Sequence, residues 1–504
     1  MSFNDKNKNK DSMRINKNLV AGIFLAIVAV GNGAYAQKGK TTQKPAYEVK
    51  FVMPGLPDSV LYVAYYYDGK TFMFDTLYLS RKEPFTFVMK GDTLRLQRGQ
   101  YVVASESKIQ YFNFIVDTSY FFTIKTGQLN PDKLDIMGSI EYVNSPENAL
   151  PTELGKMMSV HVIAIQTLGK ELKDREDLSE EQKENYKTAI REHQDSIRVT
   201  RENFLQENAN SLFAKMVRLG DEISIPDPPR NPDSSLVDSS WAYQYYLDHY
   251  WDNCDFSESA LVRTQSFGQK VVQYFESVVF PIPDTINKYT DLLLEKTKNT
   301  PDMFKYIIWY VTQKYERSQY VGHDAVFVHM VKTYYEKGLC PWVDEEVLKA
   351  MVNKATRLDK ILIGRVAPHL YMPDSTGTLR SNYDFDKKYT IMWFWDLNCG
   401  HCKTATPILK EFYDRAKDSL DFEVYAVCLG TDTVKWKQAI IEKELTWVNV
   451  GMNTANIDFK EVYEVNTTPV VFILDREKRI IAKKIDAKEI ENVMRNHEEG
   501  KRIR

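Results

Sequence analysis

Two cysteines separated by two residues, Cys399-Gly400-His401-Cys402, constrain this 504-residue chain more than any other feature. They follow the apolar run Tyr389-Thr390-Ile391-Met392-Trp393-Phe394-Trp395 and precede a helix-like stretch from Lys403 to Lys417. The order is therefore strand, short loop, helix N-terminus. Two thiols within one helical turn can close a disulfide without moving the backbone. A helix N-terminus favours negative charge, so the first thiol ionises more readily. Cys-x-x-Cys in a strand–helix setting reads as a redox pair. The competing reading is half of a zinc site, but a closed site needs four ligands and there is no second Cys-x-x-Cys. No cofactor motif and no metal-ligand set is expected.

The N-terminus carries a basic stretch, Lys6, Lys8, Lys10, Arg14 and Lys17, followed by the apolar run Leu19 to Val30 and the small-x-small triplet Ala34-Tyr35-Ala36. This pattern predicts a secretory signal peptide over residues 1–36, cut after Ala36. An uncleaved anchor is the alternative, although the run is short for a bilayer. No later stretch is long and apolar enough to cross a membrane, so the mature protein is expected to be soluble and periplasmic. The net charge of −3 becomes more negative once the basic leader is removed, and no basic block remains. Nucleic acid is therefore a poor candidate partner.

Besides the pair, the cysteines are Cys254, Cys340 and Cys428. This is too sparse for a disulfide-stapled scaffold. Cys428 falls in the apolar strand Phe422 to Leu429 and is expected to be buried and inert. The sequence leaves Cys254 and Cys340 open, either paired or free.

Three regions follow the leader. Residues 40–147 read as an all-β, sandwich-like domain. Val60–Tyr67 and Thr71–Leu79 flank the turn Asp68-Gly69, a hairpin signal, and strands at Gln100–Ser105, Tyr111–Val116 and Tyr120–Lys125 continue it. Residues 148–365 read as helical: Glu153–Lys173, then a second helix to Gln206 started by the capping box Ser179/Gln182. Asp227-Pro228-Pro229-Arg230-Asn231-Pro232 breaks the helical pattern. Further helices are predicted at Leu261–Phe275, Tyr289–Lys298, Asp302–Tyr315 and Val326–Lys337. The aromatic run from Trp241 to Trp251 is read as interhelix packing. His323 and His329, six apart, do not share a helix face and are read as structural. Residues 366–498 alternate strand and helix, giving a sheet covered by helices: strand Phe422–Leu429, helix Val434–Lys443, short helix Asp458–Tyr463, strands Val470–Leu474 and Ile480–Lys484, and helix Lys488–Asn496.

The segment from Ala367 to His497 resembles the TlpA-like extracytoplasmic branch of the thioredoxin superfamily. Ala367-Pro368, with Asp374 and Gly377 before Leu379, resembles that family's leading hairpin. Cys399-Gly400-His401-Cys402 resembles its active site, and Pro407 the proline of its first active-site helix. Thr468-Pro469, opening the strand Val470-Val471-Phe472-Ile473-Leu474, resembles its cis-proline loop. The β and helical regions resemble modules that precede such domains in Bacteroidetes-type proteins. Two residues depart from the pattern: Asn398 stands where a Trp is common, and Trp393 where cytoplasmic members bury an Asp. Asp396 and Glu423 are candidate substitutes for that proton carrier.

The resemblance implies a thiol–disulfide oxidoreductase that exchanges disulfides with protein cysteines. Cys399 would be the nucleophile and Cys402 the resolving thiol, while Gly400 keeps the loop thin. His401 would stabilise the thiolate by charge or hydrogen bonding. Thr468 and Pro469 would bind extended substrate. Partners would be protein thiols and disulfides and a membrane or periplasmic electron donor or acceptor. Cys-Gly-His-Cys matches the pattern of disulfide isomerases and slightly favours the oxidase or isomerase direction. Two rivals are a dedicated reductase, for example of apocytochrome c cysteines, and a binding scaffold with a vestigial redox domain. Trp395 to Cys399 lacks the Pro and Thr or Ser expected of a peroxidase.

Overall fold

The computed structural model describes residues 45–500, leaving out 68, 92–94, 131–135, 137, 138, 176 and 452–456. The leader expected at residues 1–36 lies outside the described residues. No helix among them is long and apolar enough to cross a membrane.

The N-terminal region is β-rich. Its strands are β1 (Tyr47–Val52), β2 (Val60–Tyr67), β3 (Lys70–Tyr78), β4 (Thr86–Gly91), β5 (Gly99–Ser105), β6 (Gln110–Val116), β7 (Phe121–Lys125) and β8 (Glu141–Val143). They form two four-stranded sheets, β4-β1-β7-β8 and β3-β2-β5-β6. The β2–β3 hairpin matches the expected one, with Gly69 taking the left-handed φ of +63° that its turn requires. Strands β1 and β4 lie outside the expected set; they pair with each other, and β1 also runs parallel to β7. Side chains alternate along β1, so Tyr47, Val49 and Phe51 point into a core with Phe112, Phe114 and Phe122.

The central region is helical: α1 (Pro146–Asp174), α2 (Glu180–Glu207), α3 (Leu212–Leu219), α4 (Trp241–His249), α5 (Gln265–Gln273), α6 (Pro283–Thr297), α7 (Pro301–Glu316), α8 (Asp324–Met330) and α9 (Glu345–Asp359). The capping box is formed: the Gln182 N–H donates to the Ser179 hydroxyl and the Gln182 side chain accepts from the Ser179 N–H. Helix α1 starts at Pro146, earlier than the expected Glu153, and carries Pro151 within it. That proline sits in the second turn, where its missing N–H removes one ladder bond. The stretch expected as one helix from Leu261 to Phe275 is interrupted. Thr264 is extended, caps α5 through its hydroxyl, and separates it from the 3-10 turn Ser259–Arg263. The helix expected over Val326–Lys337 is α8 followed by a wider π turn, Val331–Tyr335. Helix α9 has no counterpart among the expected helices.

The C-terminal region holds the hairpin β9 (Tyr371–Pro373) and β10 (Leu379–Ser381), then β11 (Tyr389–Trp395), α10 (Gly400–Ala416), β12 (Phe422–Cys428), α11 (Thr433–Glu442), β13 (Val448–Val450), α12 (Phe459–Tyr463), β14 (Val470–Leu474), β15 (Ile480–Lys483) and α13 (Ile490–Glu498). Its sheet has the order β13-β12-β11-β14-β15, with β11 central, parallel to β12 and antiparallel to β14. Every residue of β11 is buried, as a strand covered on both faces must be. Met392 and Phe394, with Tyr425, Val427, Phe472 and Leu474, form one face. That face belongs to a core shared with the helical region, including Met330, Leu358 and Ile361. Ile391, Trp393 and Trp395 point the other way, into a core with Leu409, Phe412, Ile490 and Met494 of α10 and α13. The central helices and the C-terminal sheet thus share apolar packing. Lys483 adds a polar tie, its buried Nζ donating to the Ile361 carbonyl at 2.7 Å and pairing with Asp324.

Candidate active site

Strand β11 delivers the chain to the site. The Asp396 carboxylate accepts the Asn398 N–H at 2.7 Å and its carbonyl accepts the Cys399 N–H at 3.3 Å, which folds the short loop. Cys399 is then the N-cap of α10, with extended backbone (φ −77°, ψ 116°). Its sulfur occupies the place a serine or aspartate oxygen takes in an ordinary cap and accepts the Cys402 backbone N–H at 3.1 Å. The Cys399 thiol in turn donates to the Thr468 carbonyl at 3.1 Å, across 69 positions of sequence. The Thr468–Pro469 peptide is cis. The structure therefore brings Cys399, Cys402, Thr468 and Pro469 together from two distant segments. Both cysteines are free thiols.

The two sulfurs differ in setting. Cys399 is half-buried, whereas Cys402 is 1% exposed, under the first turn and against the Trp393 and Trp395 core. Burial pushes the Cys399 thiol up, but the Cys402 and Thr468 side chains and the backbone N–H groups of Cys402 and His401 outweigh it, so its pKa is lowered. Burial pushes the Cys402 thiol up to about 12, and the neighbouring Cys399 adds to the rise. The arrangement provides one ionisable, accessible sulfur and one protonated, sheltered sulfur.

Gly400 opens α10. A Cβ there would meet nothing within 4 Å, so the fold does not demand glycine and the position leaves the approach to Cys399 bare. His401 is exposed, and its backbone N–H is among the groups that lower the Cys399 pKa. Pro407 lies inside α10, and Thr406 donates its hydroxyl to the Cys402 carbonyl at 2.8 Å. Trp393 fills the position of the missing carboxylate and is 1% exposed. Glu423 pairs in register with Thr390, while Trp395, at the cysteine end of β11, pairs with Cys428. Glu423 is thus at the far end of the sheet, bonded to the Tyr413 hydroxyl, and does not replace that group. The Asp396 carboxylate is engaged in folding the loop itself.

The other cysteines are separate from the pair. Cys254 and Cys340 are free, with burial pushing both thiols up to about 12. Burial likewise holds Cys428, 3% exposed, up to about 11. His323 bonds to Ser318 and the Pro281 carbonyl, and His329 to Asp291. Among the described residues no group of three or more His, Cys, Asp or Glu is set to hold a metal.

Residues 386–480 match a family model described as thioredoxin-like, and residues 203–357 match a domain of unknown function (DUF5106). The chain is 24% identical over 126 residues to the thiol-disulfide oxidoreductase ResA of a Bacillus cereus strain, a stretch that is 25% of this chain and 70% of that protein. It is also similar to a solved domain of a possible thiol-disulfide isomerase from Cytophaga hutchinsonii, at 38% identity and a TM-score of 0.27, covering 28% of this chain and 95% of that one. A thioredoxin-like protein from Bacteroides caccae matches at 18% identity and a TM-score of 0.43, covering 55% of this chain and all of the other. Residues 386–480 thus form a thioredoxin-like domain, and the chain is a thiol–disulfide oxidoreductase of the thioredoxin type.

Proposed function

We propose that this protein is an exported enzyme that exchanges disulfides with protein cysteines through Cys399 and Cys402. The single observation that carries the reading is the asymmetry of the pair: a half-buried sulfur with a lowered pKa beside a buried one held at about 12. The Cys399 thiolate attacks one sulfur of a substrate disulfide. A Cys399–substrate bond forms, the substrate S–S bond breaks, and the departing substrate thiolate takes a proton. Cys402 then gives up its proton and attacks Cys399, releasing the second substrate thiol. Two electrons have passed from the pair to the substrate, and the reverse sequence oxidises a dithiol. The Thr468 carbonyl within hydrogen-bond reach of the Cys399 sulfur supports assigning Thr468 and Pro469 to the binding of an extended substrate.

The direction is assigned to oxidation or isomerisation of clients. Hydrogen bonds that favour the Cys399 thiolate stabilise the reduced pair, and a stabilised reduced form makes a stronger oxidant. The basic-then-apolar leader supports a periplasmic site of action, with an electron donor or acceptor in the membrane or periplasm. Equilibration of the mature chain with glutathione and with dithiothreitol tests the direction. A potential near about −180 mV or higher supports it, and one near about −270 mV or lower moves the assignment to a reductase.

A further inference from the structure

The loop that carries Thr468 and Pro469 is held from outside the C-terminal domain. Arg357, in the last turn of α9 in the helical region, donates from Nε to the Glu464 carboxylate at 2.8 Å, and its Nη1 lies 3.5 Å from the Glu461 carboxylate of α12. Glu464 is 9% exposed and follows directly on α12, with a left-handed φ of +51°. Its second carboxylate oxygen accepts the Asn466 side-chain amide at 3.2 Å, and its backbone carbonyl accepts the same amide at 3.4 Å. Two residues further, the Thr468 carbonyl meets the Cys399 thiol at 3.1 Å. Polar contacts therefore lead from the helical region to Asn466, two residues along the chain from the carbonyl that meets the reacting sulfur. The Arg357–Glu464 pair is charge-assisted, with the carboxylate side nearly buried and the guanidinium side partly exposed, and such a bond favours a fixed geometry.

We infer that Arg357 and Glu464 are positioning residues for substrate: the helical region, through this pair, sets the conformation of the Asn466–Pro469 loop and so the recognition of extended peptide beside Cys399. The inference rests on the redox reading above and adds a task for the helical region. Arg357 and Glu464 do not touch the sulfurs. Their effect should enter through the loop and emerge as a change in substrate affinity.

The test is made on the full mature chain with Arg357→Gln, Glu464→Gln and the conservative Arg357→Lys, using a fluorogenic peptide disulfide as probe. The expected result is a KM raised about five- to tenfold in Arg357→Gln and Glu464→Gln, kcat changed far less, and most of the loss recovered in Arg357→Lys. Amide hydrogen exchange of residues 464–468, measured without substrate, should quicken in the two Gln variants and not in the Lys variant. A KM within twofold of the parent in both Gln variants overturns the inference. So does a fall in kcat together with a lowered melting temperature that Arg357→Lys fails to rescue, because that is the signature of a structural role alone. If the parent protein turns over no disulfide, the redox reading fails. The exchange experiment then still decides whether this pair holds the loop, and unchanged exchange refutes it.

Discussion

The backbone N–H of Cys402 points at the sulfur of Cys399, 3.1 Å away, so the residue with the buried thiol also helps to charge the more accessible one. Each cysteine shapes the other's chemistry through one turn of α10. The helix N-terminus lowers the first pKa, and burial under the same turn raises the second.

Selective alkylation follows from that split. Iodoacetamide should label Cys399 first in the reduced protein, with a pH–rate midpoint below the ordinary thiol value of about 8.5. Cys402, held up to about 12, should stay unlabelled through neutral pH. Peptide mass mapping after timed quenching reads both.

The reduction potential should fall with pH at two slopes. Below the Cys399 pKa, reduction takes up two protons with two electrons, and the potential falls by about 59 mV per pH unit. Above it only Cys402 takes a proton, and the slope halves to about 30 mV. The break marks the Cys399 pKa and should lie below the ordinary thiol range, because that pKa is lowered. Glutathione equilibration across a pH series that spans the ordinary thiol range measures it.

Trp393 replaces a buried carboxylate with one of the largest fully buried side chains in the chain. Trp393→Ala should destabilise the C-terminal domain by about 3–5 kcal/mol, through lost burial and the cavity left behind. Trp393→Phe should cost less. Trp393→Asp should not act as a simple restoration, since it opens the same cavity and buries a charge. Denaturant melts of the three variants, followed by a probe in this domain, provide the comparison.

The antiparallel pair α1 and α2 buries side chains mainly at one end, through Leu150, Leu154, Phe204 and Leu205. Further along, Met157, Val160 and Ile163 are exposed. Few buried apolar contacts leave local opening with little to oppose it. Amides around residues 160–195 should therefore exchange well before those of α7, where Tyr306, Ile307 and Val311 are fully buried. Hydrogen-exchange mass spectrometry resolves the two regions.

Local signals are the legible ones. The Cys-x-x-Cys between an apolar strand and a helix, the Ser179 capping box, the hairpin around Gly69 and the Thr468-Pro469 pair each carry their meaning within a few residues. What stays hidden in the sequence depends on distant partners or mixed cues. Pro151 masks the true start of α1, and Thr264 splits a helix whose apolar pattern runs on unbroken. Arg357 and Glu464 lie 107 residues apart, and no spacing rule joins them.

The central claim is that Cys399 attacks and Cys402 resolves. The direct measurement is trapping of the mixed disulfide with a peptide disulfide by intact-mass spectrometry, in Cys402→Ser and Cys399→Ser variants of the mature chain. The account predicts a long-lived adduct, mapped to Cys399, in Cys402→Ser and none in Cys399→Ser. An adduct on Cys402 in Cys399→Ser, formed as fast as the one on Cys399, would contradict it.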